Sequence, residues 1–261
     1  MSLFNRRFGP GAADMLRTIR EKRLLWPGVA AIAGFAFLIA LGNWQMRRLE
    51  WKQGLIASIA EHTHAAPVSL ALAEERAGLG GDVEYTRVKI EGQLLNDREI
   101  YLYALDDASG PGFQVITPLR LADGSLVLVN RGYVPNDLRD SSKRAAGQLA
   151  GDVTVTGLLR HAEVQTAFVP DNDAKRNIWY WRDIDAMAAT LGAEASSVHR
   201  FFIDAEANPA APGGWPKGGV TRLELPNRHL EYALTWYGLA GALVAVFLAF
   251  AVTRWRQPPS Q

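Results

Sequence analysis

Residues 24–44 read LLWPGVAAIAGFAFLIALGNW and residues 232–252 read YALTWYGLAGALVAVFLAFAV, and neither stretch carries a charged side chain. A helix rises about 1.5 Å per residue, so each stretch is long enough to cross the hydrocarbon core of a bilayer. Tryptophans lie near the ends of both stretches: Trp26, Trp44, Trp236 and Trp255. The two bilayer interfaces favour such aromatic rings. We therefore predict two transmembrane helices over these residues, in preference to two buried core helices.

The composition narrows the class of protein further. The chain has 261 residues, a net charge of +1, no cysteine, 48% hydrophobic residues and 21% charged residues. These values exclude a disordered polyelectrolyte, a disulfide-stapled module and any cysteine-ligated metal or iron–sulfur site. The mean hydropathy of −0.05 hides the two apolar stretches because it averages them with a polar middle segment.

Charge distribution predicts the orientation in the membrane. Residues 1–23 carry a net +4 and residues 253–261 a net +2, whereas residues 45–231 carry a net −5. The positive-inside rule then predicts a bacterial inner-membrane protein with two cytoplasmic tails and a periplasmic central domain, or the mitochondrial inner membrane in a eukaryote. The first stretch is predicted to be an uncleaved anchor, because cleavage after a loose A-x-A at 31–33 would leave too short an apolar core.

The middle segment predicts a mostly β domain. Leu49, Lys52, Ile56 and Ile59 fall at helical spacing, so the first helix is expected to continue to about Glu61. Short β-branched and aromatic runs separated by turn residues follow. The expected strands are 85–94, 99–104, 112–121, 125–134, 152–160, 178–181 and 198–204. The fold class is therefore α+β, with two transmembrane helices flanking a mostly antiparallel, barrel-like extracytoplasmic domain.

Three connecting segments have their own predictions. Ala122-Asp123-Gly124 is a hairpin turn, and a short helix with Ile184, Met187 and Leu191 on one face follows a capping Asp183. Residues 208–219, NPAAPGGWPKGG, are expected to be a linker that does not pack.

Few residues indicate catalysis. The chain lacks the G-x-S-x-G, H-E-x-x-H, Walker A and G-x-G-x-x-G signatures. His62 and His64 suit either a metal site or a solvated linker, and the linker interpretation is preferred. The acidic pairs at 106–107 and 171–173 lie in turn contexts. Because the domain is acidic and its basic residues are scattered, nucleic acid is not expected as a partner.

The second membrane entry offers one candidate binding site. In a helix, His229, Tyr232, Ala233 and Trp236 share one face. The imidazole could then be an axial ligand to haem iron, or it could simply anchor the helix end among lipid headgroups. In the first case four arginines are candidates to pair the haem propionates: Arg47, Arg48, Arg222 and Arg228.

Four motifs resemble the Surfeit locus protein 1 family. Residues 41–52, LGNWQMRRLEWK, are similar to the family's L-G-x-W-Q-x-x-R-x-x-W-K. Residues 112–119, GFQVITPL, and 129–135, VNRGYVP, follow in the family's order. Residues 227–237, NRHLEYALTWY, are similar to its N-x-H-L-x-Y-A-x-T-W-[YF]. The match extends over most of the chain.

This resemblance implies a cytochrome c oxidase assembly factor and not an enzyme. It implies that His229 is a ligand to haem a, a transiently bound cofactor. The expected partners are the lipid bilayer, the haem a synthesis machinery and cytochrome c oxidase subunit I or its assembly intermediate. Trp44, Gln45 and Arg48 lie where the first helix leaves the membrane, at the expected height of His229. We expect Trp44 and Arg48 to join Tyr232 and Trp236 around the haem, and the alternative is that all of these side chains simply anchor the helices at the interface.

Two other functions remain open from the sequence. One is a haem-free membrane scaffold that stabilises an oxidase assembly intermediate. The other is a membrane-anchored enzyme using His62 and His64. The motif around Arg131 has a structural interpretation as well: residues 126–129 form a strand buried on both faces, Arg131 pairs an internal acid, and Gly132 adopts a bulge or a positive φ.

Overall fold

The structure, a computed structural model, describes residues 24–192, 197–208 and 212–256. The predicted tail at 1–23 and the end of the tail at 253–261 lie outside these residues. The chain divides into two compact units, one of residues 1–56 with 225–261 and one of residues 57–224.

The first unit contains two long apolar helices. Helix α1 is Leu25–His64, of which residues 57–64 belong to the second unit, and the helix at the C-terminal end is His229–Arg256. Both are long and apolar enough to cross a membrane, and their most apolar windows are almost entirely exposed. Exposed apolar side chains on such helices suit contact with lipid. The predicted α+β membrane fold is confirmed.

The second unit is a mixed sheet that closes on itself. Helix α2 is Leu70–Gly78. Five strands follow it: β1 Arg87–Leu94, β2 Ile100–Asp106, β3 Gly110–Arg120, β4 Leu126–Pro135 and β5 Asp152–His161. Helix α3, Ile184–Thr190, and strand β6, Val198–Ala205, complete this unit, and the long C-terminal helix of the first unit is α4. The strand order is β1-β5-β6-β4-β3-β2, and β1 also pairs with β3. Five strands therefore form a ring, and β2 extends it from β3. Every pairing is antiparallel except β4 with β6.

Both faces of the central strand β4 are buried, as predicted. Val127 and Val129 belong to a cluster to which all five ring strands contribute, so this cluster is the barrel interior, and Leu70 and Ala73 of α2 pack into it. Leu126 and Leu128 point to the other face, where they pack with Met187 of α3. A strand covered on both sides is expected to read as a continuous apolar run, and this one does.

Three local predictions were wrong. Residues 178–181 form no named strand, because their backbone makes only isolated bridges, such as that of Trp179 with Leu102. The 208–219 segment packs: Lys217 bridges Tyr133, and the Trp215 ring lies 6.3 Å from the Tyr133 ring. His62 and His64 end a helix and are not in a linker.

The short helix and the hairpin are confirmed. The Asp183 side chain accepts a hydrogen bond from the backbone N–H of Ala186 at 3.0 Å, and Gly192 ends the turn with φ +63°. Gly124 of the hairpin has φ +85°. Helix α2 was not predicted, although Ser69 caps it by accepting from the Leu72 N–H.

Buried charges connect the strands of the barrel. The Asp204 carboxylate of β6 accepts from Arg182 at 2.9 Å, from Arg160 at 3.3 Å, from Asn130 at 2.9 Å and from Thr221 at 2.7 Å. Its side chain is 1% exposed. A carboxylate this deeply buried is tolerated only because cations and donors replace its lost hydration.

Removing the Asp204 carboxylate should destabilise the barrel strongly. Asp204→Ala leaves the buried Arg182 cation with only the partly exposed Glu163 carboxylate, 3.8 Å away, so we expect a loss of about 3–5 kcal/mol in the free energy of unfolding. Denaturant unfolding of the detergent-solubilised chain measures this loss. The control is Asp185→Ala, which breaks an ion pair with Arg200 that is more than half exposed and should change little. Equal effects of the two substitutions would contradict the prediction.

Tyr101 should make the barrel sensitive to alkali. Burial, reinforced by the Glu99 carboxylate that its hydroxyl contacts at 3.0 Å, raises the pKa of Tyr101 from 10.0 to about 12. Between pH 10.0 and about pH 12, the two pKa values, the unfolded chain releases the phenol proton and the folded chain keeps it. The free energy of unfolding therefore falls as pH rises, by up to about 1.4 kcal/mol per pH unit. Tyr101→Phe should flatten this slope, and an unchanged slope would refute the assignment.

Candidate functional site

The two apolar helices pack through glycines. A β-carbon at Gly42 of α1 would lie 2.3 Å from Cε1 of Tyr237, and one at Gly34 would lie 3.1 Å from Cδ2 of Leu243. Small residues let the backbones of membrane helices approach closely. The hydroxyl of Tyr237 donates to Asn43 Oδ1 at 2.8 Å, so a polar contact accompanies the close approach.

His229 lies at the end of this packed seam. It is the first residue of α4 and is followed on the same side of the helix by Ala233, Tyr237 and Ala240, at intervals of four, four and three residues. Ala233 and Ala240 are almost fully buried. This side of α4, which we call the seam, therefore begins with the half-buried imidazole of His229 and continues with two alanines and Tyr237.

The partner of His229 is Gln45 of α1. His229 Nδ1 and Gln45 Oε1 are 2.7 Å apart, and Gln45 is 9% exposed. An Nδ1–H that donates to an amide oxygen leaves the lone pair of a neutral imidazole on Nε2. Histidines that bind metals are commonly oriented in this way, by a second residue that holds the other ring nitrogen. In this tautomer Nε2 is the ring nitrogen that can accept a bond.

The other predicted site residues differ in their exposure. Trp236 is half-buried, and Tyr232 and Trp44 are about half exposed. The Arg48 guanidinium lies 4.3 Å from the centre of the Trp51 ring. Within the described chain the hydrogen-bond partner of His229 is thus Gln45, which the sequence placed at the membrane exit but did not assign to the site. Gln45 follows Gly42 by three residues, and that spacing on one helix face is the signal that was available.

The candidate arginines at the helix ends are already engaged. Arg228 donates from Nε and Nη2 to Glu231 Oε2 at 2.9 and 2.8 Å. Arg222 belongs to the barrel unit, where it contacts Asp107 at 3.4 Å. All four arginines are exposed, and Arg47 and Arg48 lie on α1.

His62 and His64 are also engaged by their neighbours. Their Nδ1 atoms lie 2.9 Å from the Glu84 carbonyl oxygen and 2.7 Å from that of Ala60. Over the described ranges no group of three or more potential metal-ligating side chains comes together.

The motif around Arg131 is built into the barrel. The Asn130 side-chain amide donates to Gln114 Oε1 and to Asp204 Oδ1, both at 2.9 Å. Arg131 lies 3.6 Å from Glu99, which confirms the predicted internal acid. Gly132 has φ +118°, as predicted, and a β-carbon there would lie 1.8 Å from the Lys217 carbonyl oxygen. Each of the three residues thus has a structural role.

Fold and site together define a class of protein: a membrane protein with two packed apolar helices that flank, in sequence, a β-barrel-like domain. The profile of the SURF1 family matches residues 32–241. The chain is 40% identical over 219 residues to a SURF1-like protein of Monosiga brevicollis, covering 80% of this chain and 81% of that protein.

Two vertebrate relatives extend the comparison. Surfeit locus protein 1 of Takifugu rubripes is 37% identical over 230 residues, covering 82% of this chain and 92% of its own length. Surfeit locus protein 1 of Homo sapiens is 37% identical over 218 residues, covering 77% and 70%. The chain belongs to the SURF1 family. Membership implies, in general, a role in the assembly of cytochrome c oxidase.

Adding a methyl group should weaken the helix pair at Gly42, which is closely packed, but not at Gly238, which has open space around it. Gly42→Ala forces the Tyr237 ring away, so we expect it to weaken the helix pair by about 1–3 kcal/mol. Gly238→Ala is the matched control, because a β-carbon there has open space around it. The chain has no cysteine, so spin labels on introduced cysteines can report the α1–α4 distance. Equal spin-label distances and stabilities for both variants would refute the packing role.

Proposed function

We propose that this protein is a cytochrome c oxidase assembly factor that binds haem a through His229 and assists its delivery to subunit I or to an assembly intermediate containing it. The observation that carries the proposal is the 2.7 Å contact between His229 Nδ1 and Gln45 Oε1. This contact supports a neutral imidazole with Nε2 free to ligate iron. Membership of the SURF1 family supports the oxidase as the destination.

The residues around His229 suit the apolar macrocycle of haem a at a membrane interface. Tyr232 and Trp236 share its helix face, and Trp44 precedes Gln45 on α1, so aromatic surface is available on both helices. Arg48 offers a cation for a propionate, since a guanidinium stacked on an aromatic ring keeps its N–H donors at the edge. Haem a is cargo in this proposal, and ligation holds it without turnover.

The proposed location follows from the charges at the chain ends. The positive-inside rule favours an inner-membrane protein with both tails in the cytoplasm and the barrel in the periplasm, or the equivalent arrangement in a mitochondrion. In that arrangement haem a would arrive from the machinery that synthesises it in the same membrane.

The visible spectrum of the protein purified from cells that make haem a tests the proposal. We expect a haem a band that His229→Ala loses or shifts, and that His64→Ala, the matched substitution at an exposed helix-end histidine, retains. Gln45→Ala should keep the ligand but weaken haem affinity by roughly 10–100-fold, as loss of an orienting partner does elsewhere.

Other spectra would overturn the haem assignment. An equal band in the parent and in His229→Ala would place the iron on another ligand. No band in any variant would favour the haem-free scaffold. The scaffold further requires normal oxidase yield in His229→Ala and lost yield when Arg131 or Gly132 is changed.

A further inference from the structure

A partly open cavity of about 290 Å³ borders the barrel interior. Its wall includes Leu94, Val153, Val155 and Ala205, which all pack against the interior cluster. Trp215, Pro216 and Gly218 form another part of the wall. Its size is at the lower limit of pockets that hold small organic ligands.

The wall of this cavity is partly polar, and it carries a buried positive charge. Arg131 belongs to the wall, and its side chain is only 10% exposed. Its guanidinium donates to Asn96 Oδ1 at 3.3 Å and to the Gly147 carbonyl oxygen. A guanidinium has five N–H donors, so this group has donors beyond those two bonds. A cavity with both apolar side chains and a fixed guanidinium in its wall is complementary to an amphipathic anion.

Among the residues that the structure describes, the positive charge around Arg131 exceeds the negative charge paired with it. Glu99 is the carboxylate of this buried cluster, and it also pairs with Arg144, whose side chain is 1% exposed. Two buried cations thus share one anion. Glu206 also lies in the cavity wall, but Arg87 engages both of its oxygens. A buried excess of one positive charge is costly, and one negative charge on a ligand would relieve it.

We propose that the barrel cavity binds an apolar monocarboxylate of the fatty-acid type, with the carboxylate on Arg131 and the alkyl chain against Val153, Val155 and Ala205. A monoanion matches the single excess charge. A phosphate dianion would exceed it and would face Glu206. Burying the alkyl chain in the cavity supplies the hydrophobic contribution to binding. This site lies wholly within the barrel unit and does not depend on haem binding.

Hexanoate and hexanamide are the probes, tested on the full chain in lipid nanodiscs by saturation-transfer NMR, with empty nanodiscs as the background. Saturable binding of hexanoate is expected, with hexanamide weaker by roughly tenfold or more because it lacks the charge-assisted hydrogen bond. Ala205→Leu fills the cavity and should abolish binding. Ala162→Leu, the same change at an exposed position outside the cavity, should preserve it.

The comparison of the two probes needs no variant, so it stands even if a substitution impairs folding. Arg131→Lys retains the charge and should keep measurable binding. Equal binding of hexanoate and hexanamide would overturn the role of Arg131, and unchanged binding in a folded Ala205→Leu variant would place the ligand outside the cavity. The absence of saturable binding would refute the site. Tighter binding of an acetylated apolar dipeptide than of hexanoate would assign the cavity to a protein carboxyl terminus.

Discussion

The barrel depends on one buried carboxylate. Asp204 of β6 is contacted by side chains from β4, β5, the segment before α3 and the segment that follows the Trp215 turn. Each of these polar side chains lost its hydration on folding, so its burial is stable only in contact with the others. Apolar packing alone would tolerate a slipped strand, whereas this network requires one register. The parallel β4–β6 pair is thereby fixed although its strands are joined by a long connection.

The sequence predicted those helices and strands that are determined by local residue patterns. Apolar length identified both long helices, and alternation or continuous apolar runs identified all six strands to within a few residues. The 178–181 segment misled because Trp179, which is 1% exposed, pairs with Leu102 of β2 through a single isolated bridge that does not extend into a strand. The packing of Trp215 was also missed. The glycine and proline content of a segment indicates how flexible its backbone is, but it does not indicate which contacts a tryptophan in that segment makes.

The helix face that carries His229 could be predicted from the sequence, but the hydrogen-bond partner of His229 could not. The helical face of His229 can be drawn from residue spacing alone. Gln45 is 184 positions away, and only packing of α1 on α4 through Gly42 brings its amide to the imidazole. The same holds for Asn130 and Asp204, which are 74 positions apart. Long-range polar pairs of this kind have no period in a single sequence, so a structure is needed to find them.

The four motifs that resemble the family form two pairs in space. The first motif supplies Gly42 and Gln45, and the fourth supplies Tyr237 and His229 to meet them. The second and third motifs meet within the barrel, where Gln114 accepts from Asn130 and a β-carbon at Gly112 would lie 2.5 Å from the Tyr133 hydroxyl. Each pair lies within one unit. A change in the barrel pair should therefore act through folding, whereas a change at His229 should act on binding with the barrel intact, because the two networks share no residue.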